Sequence, residues 1–409
     1  MRQANRRIAR FFCLTFSLAV LSNIAQAQTF SVLYNFTGGA DGFDPIGATV
    51  GPSGVVYGTA QFGGTHSAGT VFKLKQVNSS WVFSPLYEFT GGGDGVMPSG
   101  GVTIGPNGAL YGPTSFGGTD GLGLVFELRP PPTACNSALC YWNETVLHSF
   151  TGPPDGGIPS YMSLVFDQAG DIYGTTYYGG VGGYGIVFEL TSSGGRYTEN
   201  IIHSFGYPAG GSYPNSGVVL DSAGNVYGTT TYGGTGTECM DNCGTVYQLV
   251  PSGGNWTENV LVNFDGANGE EPLFNPIVDA SGNVYGTAGL VYKLTPSGGG
   301  FTYSVISNLD GMFCGYQSAL VEDAAGTFYG TCQNGPGSGG PGWVFELTNC
   351  SQTCTVVDLH DFNGSDGQGP LGKLSLDANG NLYGTTVAGG TGGTGCNNGG
   401  CGVVWELTP

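Results

Sequence analysis

Positive charge is the scarcest feature of this sequence. Ten Lys and Arg face 29 Asp and Glu, and Arg2, Arg6, Arg7 and Arg10 account for four of the ten. The acidic surface that remains repels nucleic acid and anionic lipid, so neither is an expected partner. It also suits a chain that must stay soluble outside the cell. Titratable catalysts are thin as well: there are four His, and no Gly-x-Ser-x-Gly elbow, phosphate loop or His-Glu-x-x-His. No cofactor and no metal are expected. Past the first 20 residues no apolar run approaches the roughly 20 residues a spanning helix needs, so no membrane span is expected.

The N-terminus is different. A basic start, the apolar run Phe11 to Ala19 and the small-x-small site Ala25-Gln-Ala27 read as a secretory signal peptide cleaved after Ala27. Residues 28–409 then form one secreted domain, expected to be a monomer. Of eleven Cys, Cys13 lies in the apolar run, and the other ten fall into close pairs. These are Cys135/Cys140, Cys239/Cys243, Cys314/Cys332, Cys350/Cys354 and Cys396/Cys401, and an even count in an exported chain reads as local disulfides. Zinc would need pairs that converge, and the two pairs with suitable spacing, Cys239/Cys243 and Cys350/Cys354, lie in different repeats.

With 78 Gly and 22 Pro the chain would read as disordered if it had no period. It has one. The core apolar-Tyr-Gly recurs at Tyr57, Tyr111, Tyr173, Tyr227, Tyr285, Tyr329 and Tyr383, at spacings of 54, 62, 54, 58, 44 and 54 residues. Each copy reads as four short strands. A strand leads from a Pro to a turn of the type Asp-x-x-Gly or Gly-Pro-x-Gly. The Tyr-Gly-Thr strand follows, then Gly-x-Val-aromatic-x-Leu with Phe72, Phe126, Phe188, Tyr247, Tyr292, Phe345 and Trp405 as its aromatics, then a strand running from an aromatic to an apolar residue such as Phe264. Alternation at period two is the mark of half-buried strands. Seven sets of four antiparallel strands predict an all-β fold, a seven-bladed β-propeller. The first strand, Phe30 to Phe36, is a fourth strand without its first three, and the last, Gly402 to Leu407, is a third without a fourth. The N-terminal strand is therefore expected to complete the last blade and close the ring.

The runs Phe-Thr-Gly-Gly-x-Asp-Gly-x-x-Pro, Asp-x-x-Gly-Asn-x-Tyr-Gly-Thr-Thr and Gly-x-Val-Phe-Glu-Leu-Thr resemble the GloVer tandem-repeat family of bacterial exported proteins. The resemblance covers essentially all of Phe30 to Pro409. It implies a secreted or surface-displayed bacterial propeller without an established activity. Members often carry a C-terminal sorting anchor; here the chain stops at Glu406-Leu-Thr-Pro409, and free secretion is expected.

Binding is expected on the face that carries the loops between second and third strands. From Tyr to the next Gly these loops run 12, 12, 12, 17, 4, 13 and 19 residues, so the fifth repeat should leave a notch in the rim. Phe62, Phe116, Tyr177, Tyr178 and Tyr232 precede glycines in these loops, and Asp41, Asp94 and Asp155 lie five residues beyond a fourth-strand Phe. Rings beside carboxylates suit a sugar, so these eight are the candidate ligand residues. The competing reading, that the rings pack between blades and the Asp-Gly pairs make turns, is favoured by their recurrence. Asp377 to Asn381 reads as a turn because it lacks the ligand spacing of a calcium loop. His148, His203 and His360 read as one outer-strand surface position, equivalent to Asn35, Glu88 and Asn263. The first strands, which should line the channel, hold little acid or base besides Lys373 and Glu322. No catalytic residue is assigned. The expected function is a secreted non-catalytic propeller binding an extracellular polysaccharide, a surface protein or a surface through its loop face. The alternatives are a structural envelope or matrix protein, and a propeller hydrolase or lyase whose site converges only in three dimensions.

Overall fold

The computed structural model describes residues 28–132, 140–309, 314, 317–335, 340–350, 352–393, 396 and 399–409. The expected signal segment, residues 1–27, lies outside them. Seven four-stranded antiparallel sheets stand around a channel as the blades of a propeller. Blade 1 comprises Phe43–Val50, Val56–Phe62, Thr70–Val77 and Ser80–Glu88. Blade 4, with Val219–Leu220, Val226–Thr230, Thr245–Ser252 and Asn255–Asn263, shows the usual shorter first strand. Blade 7 has Ser375–Leu376, Leu382–Ala388 and Val403–Thr408, and its outermost strand is Thr29–Asn35 from the other end of the chain. That closure is antiparallel, from Thr29 opposite Thr408 to Asn35 opposite Val403. A one-residue bulge interrupts the pairing of third and fourth strands in every blade, the closing strand included, which adds twist where each blade edge meets its neighbour.

The repeated motif accounts for each blade's inner half. In Asp-x-x-Gly the aspartate holds its own turn: Asp221 Oδ1 accepts the Ala223 and Asn225 N–H groups, both at 2.9 Å, and Oδ2 accepts the Tyr227 hydroxyl at 3.1 Å. Asp377 does the same for Asn379, Asn381 and Tyr383, so its oxygens are engaged as the turn reading expects. The Gly after each Tyr sits directly opposite the third-strand aromatic, as Gly174 opposite Phe188 and Gly228 opposite Tyr247, and the ring covers it. A Cβ on Gly174 would fall 2.6 Å from Phe188 Cζ, closer than carbon atoms pack. Gly is therefore a requirement of the ring above it.

The cores lie between blades. One cluster joins Leu33 and Phe36 of the closing strand to Phe72 and Leu74 of blade 1 and Val404 of blade 7, all buried. Loop disulfides link Cys239–Cys243, Cys314–Cys332, Cys350–Cys354 and Cys396–Cys401. Cys140 is also bonded, while Cys135 lies outside the described residues. Among the described residues no helix is long and apolar enough to cross a membrane.

The histidines correct the sequence reading. His148, His203 and His360 pair with Val125, Val187 and Val344, one residue before the level of Asn35, Glu88 and Asn263. Their structural equivalents are Tyr34 and Tyr87. The offset is one of count: each His stands two residues before the Phe that ends its strand, Asn35, Glu88 and Asn263 one before it, so the His side chains face the next blade rather than the outer surface. His148 lies 3.6 Å from Glu199, His203 lies 3.6 Å from Glu258, and His360 stacks on Phe30 at 3.6 Å.

The His203–Glu258 contact is not an ion pair near neutrality. Burial holds the imidazole down to about 4 and the Glu258 carboxyl up to about 7, so both are neutral in between. Folded Glu258 therefore keeps a proton that an unfolded glutamate releases near its ordinary 4.5. Stability contributed by this group falls as pH rises through that window and levels off above about 7. Glu258→Gln is expected to raise the melting temperature by a few degrees at pH 8, with most of the gain gone by pH 5. Thermal melts of the two proteins across that range check it; a gain that grows toward acid would contradict the sign.

Candidate functional site

Two kinds of loop meet on one face: those between second and third strands, and those from one blade's fourth strand to the next blade's first. Backbone bonds tie them together, as Val96 with Phe116 and Ser212 with Tyr232. In blade 5 the Val284–Thr287 strand is followed almost at once by Leu290–Ser297, and the expected notch is present. A cavity of ≈ 380 Å³ occupies it, lined by Glu270, Thr287, Gln317 and Asn334 among others. A second cavity of ≈ 320 Å³ adjoins it at the channel mouth, where Tyr161, Tyr177, Asn215, Tyr232 and Leu371 line it. Glu271, Leu273 and Gln333 belong to both, so the two form one cleft from mouth to rim.

One side of this cleft is an aromatic shelf. Tyr177 stacks on Tyr213 with ring centroids 4.8 Å apart, and Tyr232 meets Tyr213 edge-on at 6.1 Å. Tyr161 and Tyr213 hold positive φ angles of 47° and 57°, uncommon for aromatic residues and a sign that the surroundings fix them there. The other side is polar. Glu270 and Glu271 are exposed; burial, then the charges of Glu270 and Asp241, push the Glu271 carboxyl above its ordinary range. Gln317 is only 5% exposed, and its Nε2 has no hydrogen-bond partner among the described residues. A buried amide donor without a partner costs about 1–3 kcal/mol unless something fills the position. Gln317 is one of the residues that line the cleft.

Of the eight candidate ligand residues, the structure brings Tyr177 and Tyr232 together at the mouth. Tyr178, next in the chain, points the other way and is exposed. Phe62 stacks on Phe43, and Phe116 is exposed on the blade 2 rim. Asp41, Asp94 and Asp155 cap their loops, each accepting the N–H and hydroxyl of the Thr four residues earlier (Thr37, Thr90 and Thr151). Sequence reasoning missed Tyr161, Tyr213, Gln317 and Gln333, which carry no repeat signature. Below the mouth a cavity of ≈ 360 Å³ continues down the channel past Ser163, Asn275, Ala319 and Lys373. Lys373 has no carboxylate within 4.0 Å among the described residues, and burial pulls its amine below the ordinary lysine range.

Comparison with solved structures supports the fold. A 6-phosphogluconolactonase candidate from Bacteroides uniformis matches with TM-score 0.52 and 12% identity, over 83% of this chain and 87% of that one. A protein from Lactobacillus plantarum matches at 0.49 and 12%, over 84% and 88%. A glucose-dehydrogenase-type oxidoreductase candidate from Thermus thermophilus matches at 0.43 and 13%, over 93% and 99%. At 12% identity the first of these bears on architecture alone, and the other two carry no argument. No curated protein sequence matches. The Gloeobacter/Verrucomicrobia repeat profile matches residues 18–144, 140–289 and 287–409, and the chain belongs to that family.

Proposed function

We propose that this protein is an exported, non-catalytic propeller that binds an extracellular polysaccharide in the cleft between the channel mouth and the blade 5 notch. The observation that carries the reading is the unpartnered amide of Gln317, a residue of the cleft lining. Opposite it stand the Tyr177 and Tyr232 rings, with Gln333 and Glu271 between. Aromatic rings cover the apolar faces of a sugar, while amides and carboxylates take its hydroxyls, the pairing of stacking surface and few polar groups that small-ligand sites share. The acidic surface suits a neutral or cationic glycan better than an anionic one.

Calorimetry against a panel of soluble polysaccharides tests this. The wild type is expected to bind at least one, with Gln317→Ala and Tyr232→Ala each weakening it about tenfold or more, roughly 1.4 kcal/mol. Phe116→Ala, on the far rim, is expected to leave binding unchanged. Absence of binding across the panel, or equal loss in Phe116→Ala, would overturn the proposal. A hydrolase or lyase is the second reading, favoured by Glu271, whose raised carboxyl sits beside Glu270 in the cleft. Release of new chain ends from a bound polysaccharide, abolished in Glu271→Gln, would replace binding with catalysis.

A further inference from the structure

We propose that His148, Asp155 and Glu199 form a binding site for a divalent transition-metal ion of the zinc type, which fastens blade 2 to blade 3 at the rim. His148 lies in the outer strand of blade 2, Asp155 in the loop leaving it, and Glu199 in the outer strand of blade 3. The imidazole Nε2 stands 3.4 Å from Asp155 Oδ2 and 3.6 Å from Glu199 Oε2, and one donor atom from each residue lies within 4.8 Å of the others. Zinc bonds to nitrogen and carboxylate oxygen are about 2.0–2.2 Å long, so the edges of a tetrahedral site are about 3.3–3.6 Å. The two distances to His148 match that edge.

A second observation points to something missing between the three residues. His148 Nε2 and Glu199 Oε1 are sealed from solvent, and neither has a hydrogen-bond partner among the described residues. A buried imidazole nitrogen 3.4 and 3.6 Å from two carboxylates is an arrangement that a cation completes. Asp155 is oriented by its own loop: Thr151 N–H and hydroxyl donate to Oδ2, the oxygen nearest His148, at 2.8 and 3.0 Å, and Gly156 N–H donates to Oδ1 at 2.6 Å. Such outer hydrogen bonds hold a metal-ligating carboxylate in place.

The other blade junctions serve as internal controls. Between blades 1 and 2 the same positions hold Tyr87, Asp94 and Glu144, and the Tyr87 hydroxyl donates to Asp94 at 3.1 Å. Between blades 3 and 4 they hold His203, Gly210 and Glu258, which lack the aspartate. Between blades 7 and 1 they hold Tyr34, Asp41 and Phe83. The fold closes each of these junctions without the full set, so packing does not require His, Asp and Glu together. Nitrogen with two carboxylates favours zinc, or cobalt or nickel in its place, over calcium or magnesium, which prefer all-oxygen sets. Two carboxylates and a neutral imidazole balance a dication.

Chelator-stripped protein, dialysed against Zn2+ and analysed for bound metal, tests the site. One ion per chain is expected, lost by at least tenfold in affinity in both His148→Gln and Glu199→Gln. His203→Gln is expected to bind as the wild type does. Co2+ in place of Zn2+ should give the visible absorption of a four-coordinate ion in the wild type and not in the two variants. Circular dichroism of each variant separates loss of the site from loss of the fold. Failure of the wild type to bind, retention of the ion in both site variants, or equal loss in His203→Gln would overturn the proposal. None of these results depends on whether the cleft binds a polysaccharide.

Discussion

A chain lacking residues 28–36 is expected to lose cooperative unfolding and to associate through its exposed edge. The deletion strips blade 7 of its outermost strand and leaves the Val403–Thr408 strand unpaired on one side. It also empties the junction with blade 1, where Phe36 is wholly buried and Leu33 nearly so. Truncating one fully buried Phe to Ala already costs about 3–5 kcal/mol. Total stabilities are only about 5–15 kcal/mol, so losing the whole strand consumes much or all of the margin. An open propeller also offers a bare, flat edge for pairing with another chain. Size-exclusion chromatography and thermal melts report both effects, and a synthetic peptide of residues 28–36 added in trans should restore a cooperative transition. A monomeric truncation that melts like the full protein would refute ring closure as a source of stability.

Gly174→Ala is the second large effect. One methyl group added on an ordinary strand glycine would stabilise it, because glycine is the more costly residue to order. Here the added carbon would meet Phe188 Cζ at 2.6 Å and Leu164 Cδ2 at 3.1 Å, in a core where Phe188 is wholly buried. Overpacking of this kind costs about 1–3 kcal/mol, and Gly174→Val is expected to cost more. Phe188→Leu in the Gly174→Ala background should recover part of the loss, because the ring tip is what the methyl group strikes. Denaturant midpoints of the two single variants and the double variant measure the coupling. Purely additive losses would mean that the glycine is retained for another reason. The same covering of Gly by an aromatic ring recurs at Gly58, Gly112, Gly228, Gly286, Gly330 and Gly384.

The candidate cleft was legible only in outline. The loop lengths announced the blade 5 notch, since four residues cannot cover what twelve cover elsewhere. The residues that fill the cleft were harder to find. Tyr177 and Tyr178 are adjacent in a strand-like segment, so they point to opposite sides, and the pattern alone did not say which faces the axis. Asp41, Asp94 and Asp155 recur because each caps the loop in which it stands, and recurrence marks what the fold repeats. Gln317 and Tyr161 occur once each, at positions where other repeats place different residues, and a search for periodicity passes over them. The histidines were misplaced by a count of one: His148, His203 and His360 stand two residues before the strand's closing Phe, Asn35, Glu88 and Asn263 one before it, and in a strand one residue is the difference between opposite faces.

By itself the sequence determined the repeat, the number of blades, the strand pattern and the closure of the ring. All of these follow from local rules: period-two burial, turn chemistry and the count of strands at each end. The tertiary structure alone decided which side chains meet. The cleft draws on blades 3 to 7, and the His148, Asp155 and Glu199 cluster on two blades, brought together by the rotation between sheets. Convergence of residues up to 210 positions apart, as Tyr161 and Leu371 are, has no signature in a single repeat, because each repeat specifies only its own sheet and the angle to the next.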